Sequence, residues 1–453
     1  MPGGRRSSGY PGHIAAPSEE TLALSDRAPG AVGARRLVGA AGLGVLLSGI
    51  VVNVYLAVVA RALPPAEYAT FGSFWALALV LGFGAFLPLE QELARRLPML
   101  GDRRTLLRAA TGAAGVLTVI ALLVLGGALP ILYRAVDDRV SVLLALVALC
   151  VVSAGQFLVR GTLIGTDRLV RHAAVMVLDA AVRLGLAVVL FFVAGADAAA
   201  FCWALVAAIA LSHVPQLPGA WRRAVAWGRP SDDRTPPPPT TRELTRAALP
   251  LLVGSVCAQL LLNGLPVLVV AQAADGREIA AAGVFVAAFT LAKAPLSMVV
   301  PLQSAVVPTL TRLIADGRRR EVLVLLVKGV AALGAVAAVG VPLAWWAGPT
   351  IVSLIFGDDY AIGGLDLALI ICGVLAHIGL VVVTQVHVAR GRHVDVALSW
   401  MTGLAAAGLT FWLVPGVILS GEVAFLVGSV TGAAASCTIL AVSRRRSLRE
   451  GTP

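Results

Sequence analysis

Between residues 37 and 442 the chain alternates long apolar runs with short clusters of charge, and the runs share one size. A hydrocarbon core about 30 Å thick takes roughly 20 apolar helical residues to cross. Runs of that length lie at about 37–60, 70–89, 109–132, 140–159, 173–194, 198–218, 247–271, 280–306, 321–347, 363–387, 394–414 and 422–442. The pattern predicts an all-α polytopic membrane protein of about twelve transmembrane helices. The fifth and sixth runs are separated only by Gly195-Ala196-Asp197, and the eighth carries prolines. The longest internal loop, 219–246, holds the tract Pro236-Pro237-Pro238-Pro239, a semi-rigid spacer that divides the chain into six helices plus six.

Composition removes the main competing class. Charged residues make up 13% of the chain and apolar ones 58%, against the quarter of charged residues that a water-facing surface carries. A soluble enzyme is excluded. The net charge of +11 would suggest nucleic acid in a soluble protein, but the positions of the cations point elsewhere. Of the 36 Lys and Arg residues, 29 fall in the two tails and the even-numbered loops, and only Arg61, Arg134, Arg139 and Arg277 in the odd-numbered ones. Arg183, Lys293 and Lys328 lie inside predicted spans. This is the positive-inside distribution, and it predicts a plasma membrane protein with both termini in the cytoplasm and no nucleic-acid partner.

Five cysteines lie inside apolar runs without a CxxC pair, so neither a disulfide framework nor a metal site is expected. The sequence holds no GxSxG, Walker lysine motif or HExxH. Neither an enzyme nor a cofactor is expected. The first apolar run is longer than the core of a signal peptide and lacks a clear cleavage site, so it is expected to be retained.

The two halves echo one another. Asn53 and Asn263 each stand 16 residues past the predicted start of their helices, and Glu67, Gly72 and Phe74 align with Glu278, Gly283 and Phe285. Pro88-Leu89 and Asp102-Arg103-Arg104 are followed in the same order by Pro301-Leu302 and Asp316-Gly317-Arg318. Because six is an even number of crossings, the repeat is parallel, with its axis along the membrane normal.

Polar residues deep in apolar helices are the candidates for function. Asp179 and Arg183 lie roughly 9 and 15 Å into the fifth span, and their i, i+4 spacing puts them on one face. Two readings stand: a self-neutralising pair that packs helices, or an arginine that presents donors to an anionic headgroup with Asp179 orienting it. Lys293, at the middle of the eighth span with Pro295 after it, suits a cavity. Asn53, Gln259, Asn263 and Gln303 are either substrate contacts or interhelical hydrogen-bond partners. Glu90 and Glu92 close the second span, either as a solvated end or in gating or proton coupling.

The first span, ending in Val59-Ala60-Arg61-Ala62-Leu63-Pro64-Pro65-Ala66-Glu67-Tyr68, followed by a Gly/Phe-rich second span, resembles the opening of Wzx-type polysaccharide flippases. Ala280-Ala281-Ala282-Gly283-Val284-Phe285, Val307-Pro308 and the outer loop Ile355-Phe356-Gly357-Asp358-Asp359-Tyr360 resemble the second half of that family. It belongs to the MOP exporter superfamily, with the multidrug MATE exporters and the lipid II flippase MurJ. The resemblance implies two six-helix bundles in a V, opening alternately to either side. It also implies a cationic cavity for a polyprenyl-diphosphate-linked oligosaccharide, with membrane lipids and a polymerase or glycosyltransferases of the same pathway as partners. On that plan, residues 1–36 form a disordered cytoplasmic tail, 37–218 and 247–442 the bundles, 219–246 the cytoplasmic linker and 443–453 a cytoplasmic tail.

Rival readings are a MATE-like drug/cation antiporter and a major-facilitator-type transporter. The antiporter needs buried acids for a cation, and the clear buried acid here, Asp179, stands beside an arginine. A membrane glycosyltransferase would need a sizeable outer loop, and the longest predicted one is about 15 residues.

Overall fold

The computed structural model describes residues 31–100, 102–193, 195–226, 238–296, 310–314 and 316–449. Among these, eleven helices are long and apolar enough to cross a membrane. We number the rods α1, Ala31–Ala62; α2, Pro65–Arg96; α3, Arg103–Gly127; α4, Val140–Gly165; α5, Leu169–Phe191; and α6, Ala198–Ala226. The second half holds α7, from Thr241 to Gln272; α8, Gly276–Ala292; α9, Arg319–Phe356; α10, Gly364–Ala389; α11, His393–Leu413; and α12, Val417–Arg449. The described part of α8, at 17 residues, is the twelfth rod, and residues 297–306 of its predicted span lie outside the described residues. The protein is a multi-pass membrane protein.

Several boundaries differ from those read in the sequence, and two of the extensions carry charge. Helix α2 runs seven residues past its predicted end at 89, to Arg96, and α6 runs to Ala226, into the predicted linker. In both cases the extension is charged and amphipathic, so a hydropathy window stops before the hydrogen-bonded helix does.

Helix starts follow capping chemistry. Asp102, Asp197 and Asp275 cap α3, α6 and α8 by accepting from backbone N–H groups one turn in, and Thr240 with Glu243 closes a capping box at α7. Proline sets the other irregularities. A π turn at Val80–Phe86 precedes Pro88 in α2, and a second at Leu260–Gly264 precedes Pro266 in α7. Each proline removes an N–H and the ladder widens by one residue.

The packing repeats between halves. Helix α1 lies on α5 as α7 lies on α11, α3 on α4 as α9 on α10, α4 on α6 as α10 on α12, and α5 on α6 as α11 on α12. The halves meet chiefly through α2 on α8, and through α7 on α2 and α3. At the α2–α8 seam Gly72 faces the Val286 side chain and Gly283 faces the Pro65 carbonyl, so close that a Cβ on Gly283 would overlap it.

The main core cluster lies toward the ends of the helices that the charge pattern places outside. It joins Tyr55, Phe71 and Phe74 of the first half to Phe285 and Phe356 of the second. There the Arg61 guanidinium donates to the carbonyls of Leu354 and Ile355, and the Tyr360 hydroxyl donates to the Leu63 carbonyl at 2.8 Å. The opposite surface of the rods is apolar and bare: Val327, Val330, Val339 and Trp346 of α9 are exposed, as residues against lipid tails must be.

Candidate functional site

The π turns of α2 and α7 bring the halves together around polar groups. They abut through Gly84, whose open side faces Val256 and Gln259, and the Ser255 hydroxyl donates to the Phe83 carbonyl at 2.7 Å. A π turn leaves such a carbonyl without its usual ladder partner, and a hydroxyl from the other half takes it.

From this junction a chain of three side chains leads into the second half. The Gln259 amide oxygen accepts from Asn263 Nδ2 at 2.8 Å, and Asn263 Oδ1 accepts from Lys293 Nζ at 2.9 Å. The ammonium also lies 4.7 Å from the centre of the Phe289 ring. Three predicted site residues on two helices therefore form one cluster. Among the described residues no carboxylate reaches Lys293, so its charge is held by a neutral amide and a ring face. Asn263 is buried and Lys293 half-buried.

Asp179 and Arg183 form a second cluster in the first half. They are ion-paired to each other within α5, both side chains nearly buried, with the guanidinium 5.9 Å from the Trp75 ring. The arginine that the sequence offers to a substrate is thus already matched by a carboxylate. Asn53 bonds along its own helix, donating to the Gly49 carbonyl at 2.8 Å, and joins neither cluster. Gln303 lies outside the described residues.

Glu90 and Glu92 are buried rather than a solvated helix end. Glu90 pairs with Arg160 of α4 at 2.9 Å, and the guanidinium lies against Phe157 and Phe83. In the sequence Arg160 falls just past the fourth predicted span, 140–159, among the loop cations. Glu92 pairs with Arg95 and Arg96 of its own helix, each at 2.7 Å. Two further features are not among the candidates read from the sequence: Glu422 in α12 is fully buried, and His387 pairs with Asp395 at 3.4 Å. The sequence carries a signal for Glu422, an acid at the first position of the last predicted span, 422–442. Among the described residues no group of three His, Cys, Asp or Glu side chains is placed to hold a metal ion.

A family model described as "Polysaccharide biosynthesis protein" matches residues 37–314. The chain belongs to that family. Among its relatives, the uncharacterized protein Rv3630 of Mycobacterium tuberculosis is 30% identical over 406 residues, covering 87% of this chain and 89% of that one. The uncharacterized protein Rv1510 of the same species is 29% identical over 419 residues, covering 90% and 92%. The fold of this polysaccharide biosynthesis protein is that of the MOP superfamily. It superposes on an inward-facing multidrug resistance MATE transporter with a TM-score of 0.66 at 13% identity, over 89% of this chain and 96% of the other. It also superposes on a Pyrococcus furiosus MOP transporter, described as having a binding pocket of reverse polarity, with a TM-score of 0.53 at 15% identity over 89% and 93%.

Proposed function

We propose that this polysaccharide biosynthesis protein is an alternating-access flippase. It carries a polyprenyl-diphosphate-linked oligosaccharide from the cytoplasmic to the outer leaflet for polysaccharide or cell-wall glycan export. The reading places it in the bacterial plasma membrane with both termini cytoplasmic, which the distribution of the cations supports. Sugars and a diphosphate cannot cross hydrocarbon without large desolvation costs, and a protein that lowers this barrier needs a cation that is free to be shared.

The observation that carries the reading is Lys293. It is a cation deep in the membrane with neutral partners, beside the seam of two halves that must move against each other. Arg183, matched by Asp179, is a weaker candidate for the headgroup and serves this reading as a fixed pair beside Trp75. A cation of unmatched charge also repels a cationic drug, which argues against the antiporter. Release is served by the same design, since one ammonium holds a diphosphate less tightly than a cluster of arginines would.

The test is transport of a fluorescent polyprenyl-diphosphate oligosaccharide in proteoliposomes. A diphosphate oxygen near 4 Å from an ammonium, at an effective dielectric of about 20, gains about 4 kcal/mol, of which desolvation takes a large part. Lys293→Met is expected to lower the rate at subsaturating cargo by at least about tenfold, which is about 1.4 kcal/mol, with Lys293→Arg retaining part of it. Wild-type transport by Lys293→Met at equal protein level would refute the site.

A further inference from the structure

Helices α10 and α12 meet along a stripe of titratable and hydroxyl groups that the cluster around Lys293 does not use. On α12 the stripe is Glu422, Ser429 and Ser436, all fully buried. From α10, His377 Nδ1 lies 3.4 Å from Ser429 Oγ and His387 Nε2 lies 3.3 Å from the Ser436 carbonyl. Phe425 lies one turn below Glu422 and stacks on His377 at 5.5 Å, so it separates the acid from the histidine.

Glu422 is the anomaly in this stripe. It has no exposed surface, and neither carboxylate oxygen has a hydrogen-bond partner. An ionised carboxylate in such a place costs many kcal/mol and has no cation to offset it. The surroundings on every packed helix bear this out. Helix α7 presents Val269 and α8 presents Phe285 beside Gly421. The outer part of α7 holds no ionisable residue, and neither does α11 beyond Asp395. At the start of α8, Arg277 is exposed and Glu278 accepts from the Ala274 N–H at 2.7 Å. The charged group whose field reaches Glu422 is Asp366, in the first turn of α10, which is another acid and half-exposed. Farther along the stripe, His377 feels Lys293, and His387 feels Asp395, Arg390 and Arg392.

From this geometry we infer that Glu422 is a proton-binding site of the second half, loaded from the predicted outer side by way of Asp366. The closed outer end seen here requires that proton to be bound. The step is simple: the carboxylate takes one proton from hydronium and releases one water, and the neutral acid is then buried. Five residues into α12, Glu422 lies roughly 8 Å from the helix start, so a small parting of α10 from α12 wets it. When it ionises, the dry packing around it becomes unfavourable and the outer end is driven apart. A proton entering from outside thus resets a carrier that has delivered its load. The role in a transport cycle rests on the flippase reading above, whereas the proton site itself does not.

The experiment needs no cargo. In a variant whose five native cysteines are replaced, a single cysteine at Ser353, in the last turn of α9 beside the outer contacts, is reacted with a membrane-impermeant maleimide across outer pH in proteoliposomes. The expected result is labelling that rises at least about tenfold from low to high pH with Glu422 present, and stays low at every pH in Glu422→Gln, the neutral isostere. Modification of Glu422 by dicyclohexylcarbodiimide, which reacts with protonated carboxyls in lipid, is expected to fall as labelling rises, with the modified peptide read by mass spectrometry. Glu422→Gln with the wild-type pH response, or Glu422 unreactive toward the carbodiimide at all pH values, would overturn the inference. A pH response lost in Glu422→Gln, in a protein that moves no lipid-linked glycan, would keep the proton site and sink the flippase reading.

Discussion

Arg160→Met tests whether the Glu90–Arg160 pair is structural, because it removes the charge on one side of a contact that has little access to water. The pair stands at 2.9 Å with side chains 9% and 6% exposed, and the guanidinium lies 4.8 Å from the Phe157 ring. Breaking such a pair by removing one partner costs about 3–5 kcal/mol, since the other charge is left buried and alone, whereas replacing both by apolar residues of similar volume is often close to neutral. Arg160→Met and Glu90→Leu should therefore each destabilise by about that amount, and the double variant by much less than their sum, giving a coupling of about 3 kcal/mol or more. That coupling corresponds to a factor of at least about a hundred in the folding equilibrium. The assay is the fraction of monodisperse protein that survives a temperature series in detergent, measured for all four members of the cycle. Additive losses would refute the reasoning, and the pair would then be solvated in the membrane-embedded protein. If the double variant is stable but transports nothing, the pair also serves gating, as the buried position of Glu90 at the inner end of α2 allows.

Two smaller perturbations probe the framework. Gly283→Val should separate α2 from α8, because even its Cβ would overlap the Pro65 carbonyl; overpacking of this kind costs about 1–3 kcal/mol, and a loss of folded protein in the same temperature series checks it, with Gly276→Val, where the space is open, as the control. Asp102→Ala removes the cap of α3, in which the carboxylate accepts from the Thr105 N–H at 3.0 Å and the Thr105 hydroxyl at 2.6 Å, at a cost of about 1 kcal/mol at neutral pH. Those bonds hold the Asp102 carboxyl below its ordinary value of 3.8, so the contribution is complete above that value and disappears as pH falls through the lower folded one. Wild type and variant should therefore converge in stability as pH falls below the ordinary value and through the lower folded one, which denaturant titrations across pH would show.

The framework was legible because each of its causes is local in sequence. Hydropathy over about 20 residues marks a span regardless of its neighbours, capping residues act within one turn, and the loop cations report orientation without any packing. Partner choice is not local. Glu90 and Arg160 stand 70 positions apart, so the charges that ended α2 and α4 in the sequence reading are, in the folded chain, the contact that lets both helices continue. Asp179 and Arg183 are the instructive contrast. Their spacing alone places them on one face, and it is the structure that adds Trp75 beneath the guanidinium. For Lys293, depth was visible in the sequence, but the neutrality of its partners was not, since Asn263 reaches it from another helix through a π turn that no periodicity announces.

The duplicated scaffold carries chemistry that is not duplicated. Helices α4 and α10 are both 26 residues long, and aligned from their first residues they set Arg160 against Thr384, a residue that bonds only to its own helix, at the Val381 carbonyl. Aligned in the same way, α5 and α11 set Asp179 and Arg183 against Gly403 and Ala407. Gly403 lies so close to the Gly428 carbonyl that a side chain there would be crowded out. Alignment of α6 with α12 sets Trp203, which bonds to Ser141 at 3.0 Å, against the unpartnered Glu422. One half is thus held by matched charges, which cost little to keep and resist being pulled apart. The other half is held by small residues in close contact, and among its described residues Lys293 and Glu422 stand inside the bundle without a counterion. Groups in that condition change their protonation or bind an ion whenever the packing around them opens. The asymmetry therefore assigns rigidity to the first half and the responsive chemistry to the second, so that exchanging Glu422 for a neutral residue should matter more than removing any one charge from α5.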